Sequence, residues 1–134
     1  MQLLLPLHIV FMALSVVLIV AAVVTARARK PLWLKKHKTL ALGGVTSALI
    51  AFVIIVCLKI AMHYSHFQSP HAIVGLVTFI FLIITPAVGA MVAKGPSFLR
   101  PVHKTLGRIT SAAILLTALM GLARFLQLNK NRPR

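Results

Sequence analysis

His71–Ala93 reads HAIVGLVTFIFLIITPAVGAMVA. After its leading histidine it runs for 22 residues without a charged side chain. A helix of about 20 apolar residues crosses a ~30 Å hydrocarbon core, and in lipid a helix is the way for a single segment to satisfy its own backbone. The stretch is therefore a transmembrane helix, opened by Pro70 behind Ser69 and carrying Pro86 as a source of a kink.

Working outward, three more runs have the same character: Leu7–Ala26 and Thr39–Leu58, each of 20 residues, and Ile109–Ala123, of 15. Leu106 and Gly107 lengthen the last, with Arg108 and Arg124 placed to snorkel from its ends. The expectation is one all-α domain over residues 1–134, an up-down antiparallel four-helix transmembrane bundle. Its spans lie at about 5–26, 38–60, 70–93 and 102–126, and residues 127–134 form a basic tail. Leu7–Ala26 is long enough to span and lacks a basic segment before it, so it reads as an uncleaved first helix.

Composition narrows the chemistry. The 134 residues include 15 Lys and Arg but no Asp or Glu, and 60% are apolar. Without carboxylates there is no paired-carboxylate acid–base catalysis, no side-chain carboxylate site for Ca²⁺ or Mg²⁺, and no membrane-embedded glutamate of the kind small multidrug exporters use. A lone cysteine, Cys57, excludes an intrachain disulfide and CxxC chemistry, and reads as a small buried hydrophobe. The net charge of +15 sits in short clusters between uncharged runs. That is a membrane pattern, where a nucleic-acid protein would show a solvated basic face. Arg27, Arg29, Lys30, Lys35, Lys36 and Lys38 fall in the first connection, and Lys94, Arg100 and Lys104 in the third. By the positive-inside rule these face the cytoplasm and both termini face outside. Trp33 is placed as an interfacial anchor.

Each helix carries a histidine near its start: His8, His37, His71 and His103. Antiparallel order puts His8 with His71 near the outer surface and His37 with His103 near the inner one. An internal echo accompanies this. His8 and His71 are 63 residues apart, His37 and His103 are 66 apart, and His37-Lys38-Thr39-Leu40 recurs as His103-Lys104-Thr105-Leu106. The pattern reads as a duplicated helical hairpin. Haem iron takes two imidazoles from opposite walls of a bundle, whereas other metals fit two-ligand sites without carboxylate or thiolate poorly. Glycine supplies the clearance a porphyrin needs. Gly75 and Gly107 lie four residues after His71 and His103, one turn deeper on the same face. Gly89 and Gly121 lie 18 residues after them, five turns on, so Gly89 is expected at the inner site and Gly121 at the outer. Gly44 follows His37 by seven residues. His63 and His66 read as solvated residues of the outer connection.

This pattern resembles the cytochrome b561 family over about Leu7 to Leu126: the histidine distribution, His71-Ala72-Ile73-Val74-Gly75, His103-Lys104-Thr105-Leu106-Gly107, and the basic residues before His37. The resemblance implies a four-helix core with two haem b groups, one on His8 and His71 and one on His37 and His103. No counterpart of the family's basic, aromatic-containing ascorbate motif is present. The implied work is electron transport across the membrane, with the irons about 20–27 Å apart at 1.5 Å rise per residue, and no bond-making chemistry of the chain's own.

Lys59 or Arg124 outside, and Lys38, Lys104 or Arg108 inside, are candidates to pair haem propionates, while the remaining cations meet anionic lipid headgroups. Expected partners are membrane lipids, a redox protein or a small molecule such as a quinone, and a larger membrane complex or a second copy, but not nucleic acid. The expected setting is a bacterial or archaeal cytoplasmic membrane. The competing reading is a haem-free structural or assembly subunit of a membrane complex.

Overall fold

A computed structural model describes residues 3–64, 68–95 and 97–130. They form four helices: α1 (Leu4–Ala28), α2 (Trp33–Ala61), α3 (Pro70–Ala93) and α4 (Leu99–Lys130). All four are long and apolar enough to cross a membrane. The observed helices outrun the expected spans at both basic connections. α2 begins at Trp33 instead of 38, which puts Lys35, Lys36 and His37 on its opening turns, and α4 begins at Leu99 instead of 102. The expected tail is helical through Lys130. Apolar runs mark the hydrocarbon thickness, but lysine and arginine are good helix formers, so the backbone ladder continues into the headgroup region. The Ser69 side chain accepts from the Ala72 amide at 3.3 Å, capping α3 ahead of Pro70. α3 continues through Pro86.

α1 packs along α2, and α3 along α4. The two hairpins meet lightly, α1 against α4 and α2 against α3, which leaves α1/α3 and α2/α4 as the diagonals of the bundle. Small residues allow the close approach within the first hairpin: Ser15, Ala22, Gly44, Ser47, Ala48 and Ala51 are all buried. The Ser15 hydroxyl donates to the Gly44 carbonyl at 2.8 Å and the Ser47 hydroxyl to the Phe11 carbonyl at 2.7 Å. In the second hairpin threonines do this work. Thr78 pairs with Thr117 at 2.9 Å and Thr85 with Thr110 at 2.7 Å.

The echo seen in the sequence extends into the packing. One buried apolar side chain from each helix, Ile19, Ala48, Leu82 and Ile114, forms the central cluster. Each lies eleven residues after its own helix's histidine. Eleven residues are close to three turns, so each histidine points to the same interior as the cluster residue. The cluster separates two bundle ends, a first end where α1 and α3 begin and a second end where α2 and α4 begin.

The outward surface is apolar, with Val10 60% and Leu119 65% exposed among many similar side chains. A water-soluble bundle would bury these, whereas a bundle in lipid has no reason to. Cys57 belongs to this surface. It is exposed, not buried as the sequence suggested, because in a membrane protein a small hydrophobe is equally well solvated facing lipid.

Candidate functional site

The four helix-start histidines are all partly buried, and three make the same kind of bond. His8 Nδ1 lies 2.9 Å from the Ala51 carbonyl, His37 Nδ1 3.0 Å from the Ala22 carbonyl, and His103 Nδ1 3.1 Å from the Thr85 carbonyl. In every case the carbonyl belongs to the other helix of the same hairpin. A carbonyl only accepts, so Nδ1 carries the proton and donates it. In the neutral ring this leaves the lone pair on Nε2, which is the arrangement that backbone carbonyls impose on metal-ligating histidines. The 63- and 66-residue repeats carry Ala22 onto Thr85 and Ala51 onto Thr117. Thr117 is accordingly the residue whose backbone stands beside His71, although His71 Nδ1 is buried with no partner within bonding distance.

The pairs sit on the diagonals. At the second end the His37 and His103 rings have centroids 6.2 Å apart with planes at 78°. Two metal–imidazole bonds of about 2 Å each, plus half of each ring, span about 6 Å, so this separation would let the two imidazoles hold one iron between them. At the first end His8 and His71 line one largely apolar cavity of about 440 Å³, within the range of a cofactor pocket. Its wall includes Phe52 and Phe79, stacked with centroids 4.5 Å apart and planes 7° from parallel. The mouth of this cavity is shared with a polar one of about 380 Å³ through Lys59, Ser69 and Arg124, joined there by Tyr64 and Gln68. An apolar slot with histidines inside and cations at its rim matches a porphyrin, whose ring is apolar and whose two carboxylates are not.

The glycines divide into two kinds. A Cβ on Gly89 would lie 2.8 Å from His103 Cε1, and one on Gly121 would lie 3.0 Å from His71 Cε1. These two make room for the imidazoles of the neighbouring helix, not for a porphyrin directly. Gly75 lines the first-end cavity, and beside Gly107 there is open space. Gly44 serves neither purpose. A Cβ there would meet Ile19 at 2.8 Å, so it is a helix-crossing residue. Arg124 reaches the first-end site, while Arg108 is exposed. His63 is exposed, with φ at 52°, and His66 lies outside the described residues.

A family model for eukaryotic cytochrome b561 matches residues 2–129. The chain belongs to the cytochrome b561 family. It is thus a multi-pass membrane protein of a family that carries electrons through b-type haem. No curated protein and no solved structure matches the chain. The donor set present fits a b561 haem: imidazoles in facing pairs, three of them with Nδ1 turned to a backbone carbonyl, partly buried and without competing carboxylate ligands. The backbone acceptors Ala22, Ala51 and Thr85 were not legible as site residues, because their side chains take no part in the bond. The repeat offsets relate one such carbonyl to its counterpart once the first is known.

Proposed function

We propose that this b561 protein is a minimal diheme electron conduit: His8 and His71 hold an outer haem b, His37 and His103 an inner one, and electrons cross the bilayer between them. The observation that carries this is the fixing of imidazole tautomers by carbonyls across each hairpin, on helices arranged so that the histidines face each other in diagonal pairs. The haem supplies one-electron chemistry when bound. The chain holds it by Nε2, orients the imidazoles through Nδ1, and keeps water from the iron with apolar walls. Lys59 and Arg124 at the first-end rim receive the outer propionates, and Arg108 serves the inner one. Gly75 and Gly107 border the two macrocycles.

Ten of the described cations cluster at the second end: Arg27, Arg29, Lys30, Lys35, Lys36, Lys38, Lys94, Arg100, Lys104 and Arg108. That end therefore faces the cytoplasm, with both termini outside. The same cations bind anionic lipid and dock an acidic redox partner. A small-molecule donor or acceptor, such as a quinone, exchanges electrons at either haem edge.

The test is a reduced-minus-oxidised spectrum of the purified chain, with haem quantified per polypeptide. The expected result is sharp α and Soret bands and about two haems, as four histidines in axial pairs require. His8→Ala and His71→Ala should each remove one and the same haem, and His37→Ala and His103→Ala the other. A colourless chain, or losses grouped in any other way, defeats the assignment.

A further inference from the structure

Three hydrogen bonds meet at Thr85, one of them from a candidate haem ligand. Its carbonyl accepts from His103 Nδ1 at 3.1 Å, and its hydroxyl donates back to the Phe81 carbonyl at 2.8 Å and pairs with the Thr110 hydroxyl of α4 at 2.7 Å. Thr110 is 3% exposed, so this pair is shut away from solvent. Packing at this height does not demand a hydroxyl. The repeat puts Ala22 at the matching place in α1, and Ala22 accepts from His37 in the same manner with no side-chain tie at all.

At this turn α3 also differs from α1 one residue on. Pro86 follows Thr85 inside α3. Proline has no N–H, so the carbonyl four residues before it loses its helical donor and this turn is held less firmly by its own ladder. α1 has Val23 at the matching position and keeps its ladder intact. The Thr85–Thr110 pair fastens α3 to α4 at the turn whose carbonyl meets the histidine, as the Thr78–Thr117 pair does at the other end of this hairpin, and at Thr85 it does so where the ladder is already interrupted.

We propose that Thr85 and Thr110 are positioning residues for the inner haem: their hydroxyl pair holds the Thr85 carbonyl against His103 Nδ1. The bond to Nδ1 raises the electron donation of the imidazole through Nε2. A stronger donor stabilises the ferric iron, so the pair keeps the inner haem's potential low. This rests on His103 being an axial ligand, as proposed above.

The test uses the full-length protein in detergent, with potentiometric titration of both haems and low-spin EPR of the ferric state. Thr85→Val keeps the shape and the carbonyl but removes the hydroxyl. The expected result is an upward shift of the inner midpoint, a changed inner EPR signal, and an unmoved outer haem. Thr110→Val breaks the same pair from the other helix and should reproduce the shift. Thr85→Ser should restore the original values, and Thr85→Val with Thr110→Val should give no more than either change singly.

An unchanged inner potential and EPR signal in Thr110→Val overturns the proposal, as does a shift spread equally over both haems. If Thr85→Val fails to fold, Thr110→Val decides the matter. The underlying ligand assignment fails separately, by His103→Ala retaining both haems.

Discussion

Gly89→Ala is expected to leave the protein with about one haem where the unmodified chain has about two. The added methyl would sit 2.8 Å from Cε1, 3.2 Å from Nδ1 and 3.4 Å from Nε2 of His103, so it meets the flat of a ring and not a flexible tip. That ring has little freedom to retreat, because Nδ1 is tied to the Thr85 carbonyl of the same helix that bears Gly89. Helix propensity favours alanine over glycine by about 1 kcal/mol. The helix should therefore survive while the imidazole is driven off its axis. Haem quantification with size-exclusion chromatography separates these outcomes: a folded chain with the inner haem missing is expected, and a folded chain with both haems refutes it. Gly121→Ala should act on the outer haem in the same sense and more mildly, since its closest approach to His71 is 3.0 Å.

Gly44→Ala should act on the whole first hairpin. Its Cβ would lie 2.8 Å from both Cγ1 and Cδ1 of Ile19 and 3.4 Å from the Ile19 backbone nitrogen. Cδ1 can swing aside, but moving Cγ1 takes χ1 out of the one rotamer a helical isoleucine favours or shifts α1 itself, and Ile19 belongs to the central cluster. Overpacking of this kind costs about 1–3 kcal/mol. Prising α1 from α2 also lengthens the Ser15–Gly44 bond, now 2.8 Å, worth about 1 kcal/mol. The His8–Ala51 and His37–Ala22 bonds flank Gly44 along the same interface, so both haems should loosen together. Thermal unfolding in detergent, followed by Soret absorbance, checks this against Gly43→Ala. There the nearest atom is Leu18 Cδ1 at 3.4 Å, and a shift of a few tenths of an ångström suffices. Equal melting of the two variants would dispose of the argument.

What could be read from the sequence was whatever side chains advertise. Four uncharged runs gave the helices, and four histidines at matched depths gave the two ends of the bundle. The 18-residue spacing put Gly89 and Gly121 at the inner and outer ends, and in the structure they lie against His103 and His71. Their immediate neighbour was not legible: the spacing tells which face a glycine is on, but not that an imidazole from the next helix rests against it. The carbonyls of Ala22, Ala51 and Thr85 were invisible for a plainer reason, since every residue has a carbonyl and only tertiary register selects which one meets Nδ1. Cys57 was misread because burial rules learned from water-soluble cores lose their force where the surroundings are hydrocarbon. The helices start at Trp33 and Leu99, ahead of the apolar runs, because an apolar run marks the hydrocarbon thickness and not the end of the backbone ladder.

The buried helix-to-helix hydrogen bonds described above lie inside the hairpins, and the seam between hairpins is light. Each half is thus closely knit within itself, and haems held on the diagonal histidine pairs, as proposed above, would join the two like rivets. On that reading, removal of the haem is expected to separate the hairpins before either one unfolds, because so little else crosses the seam.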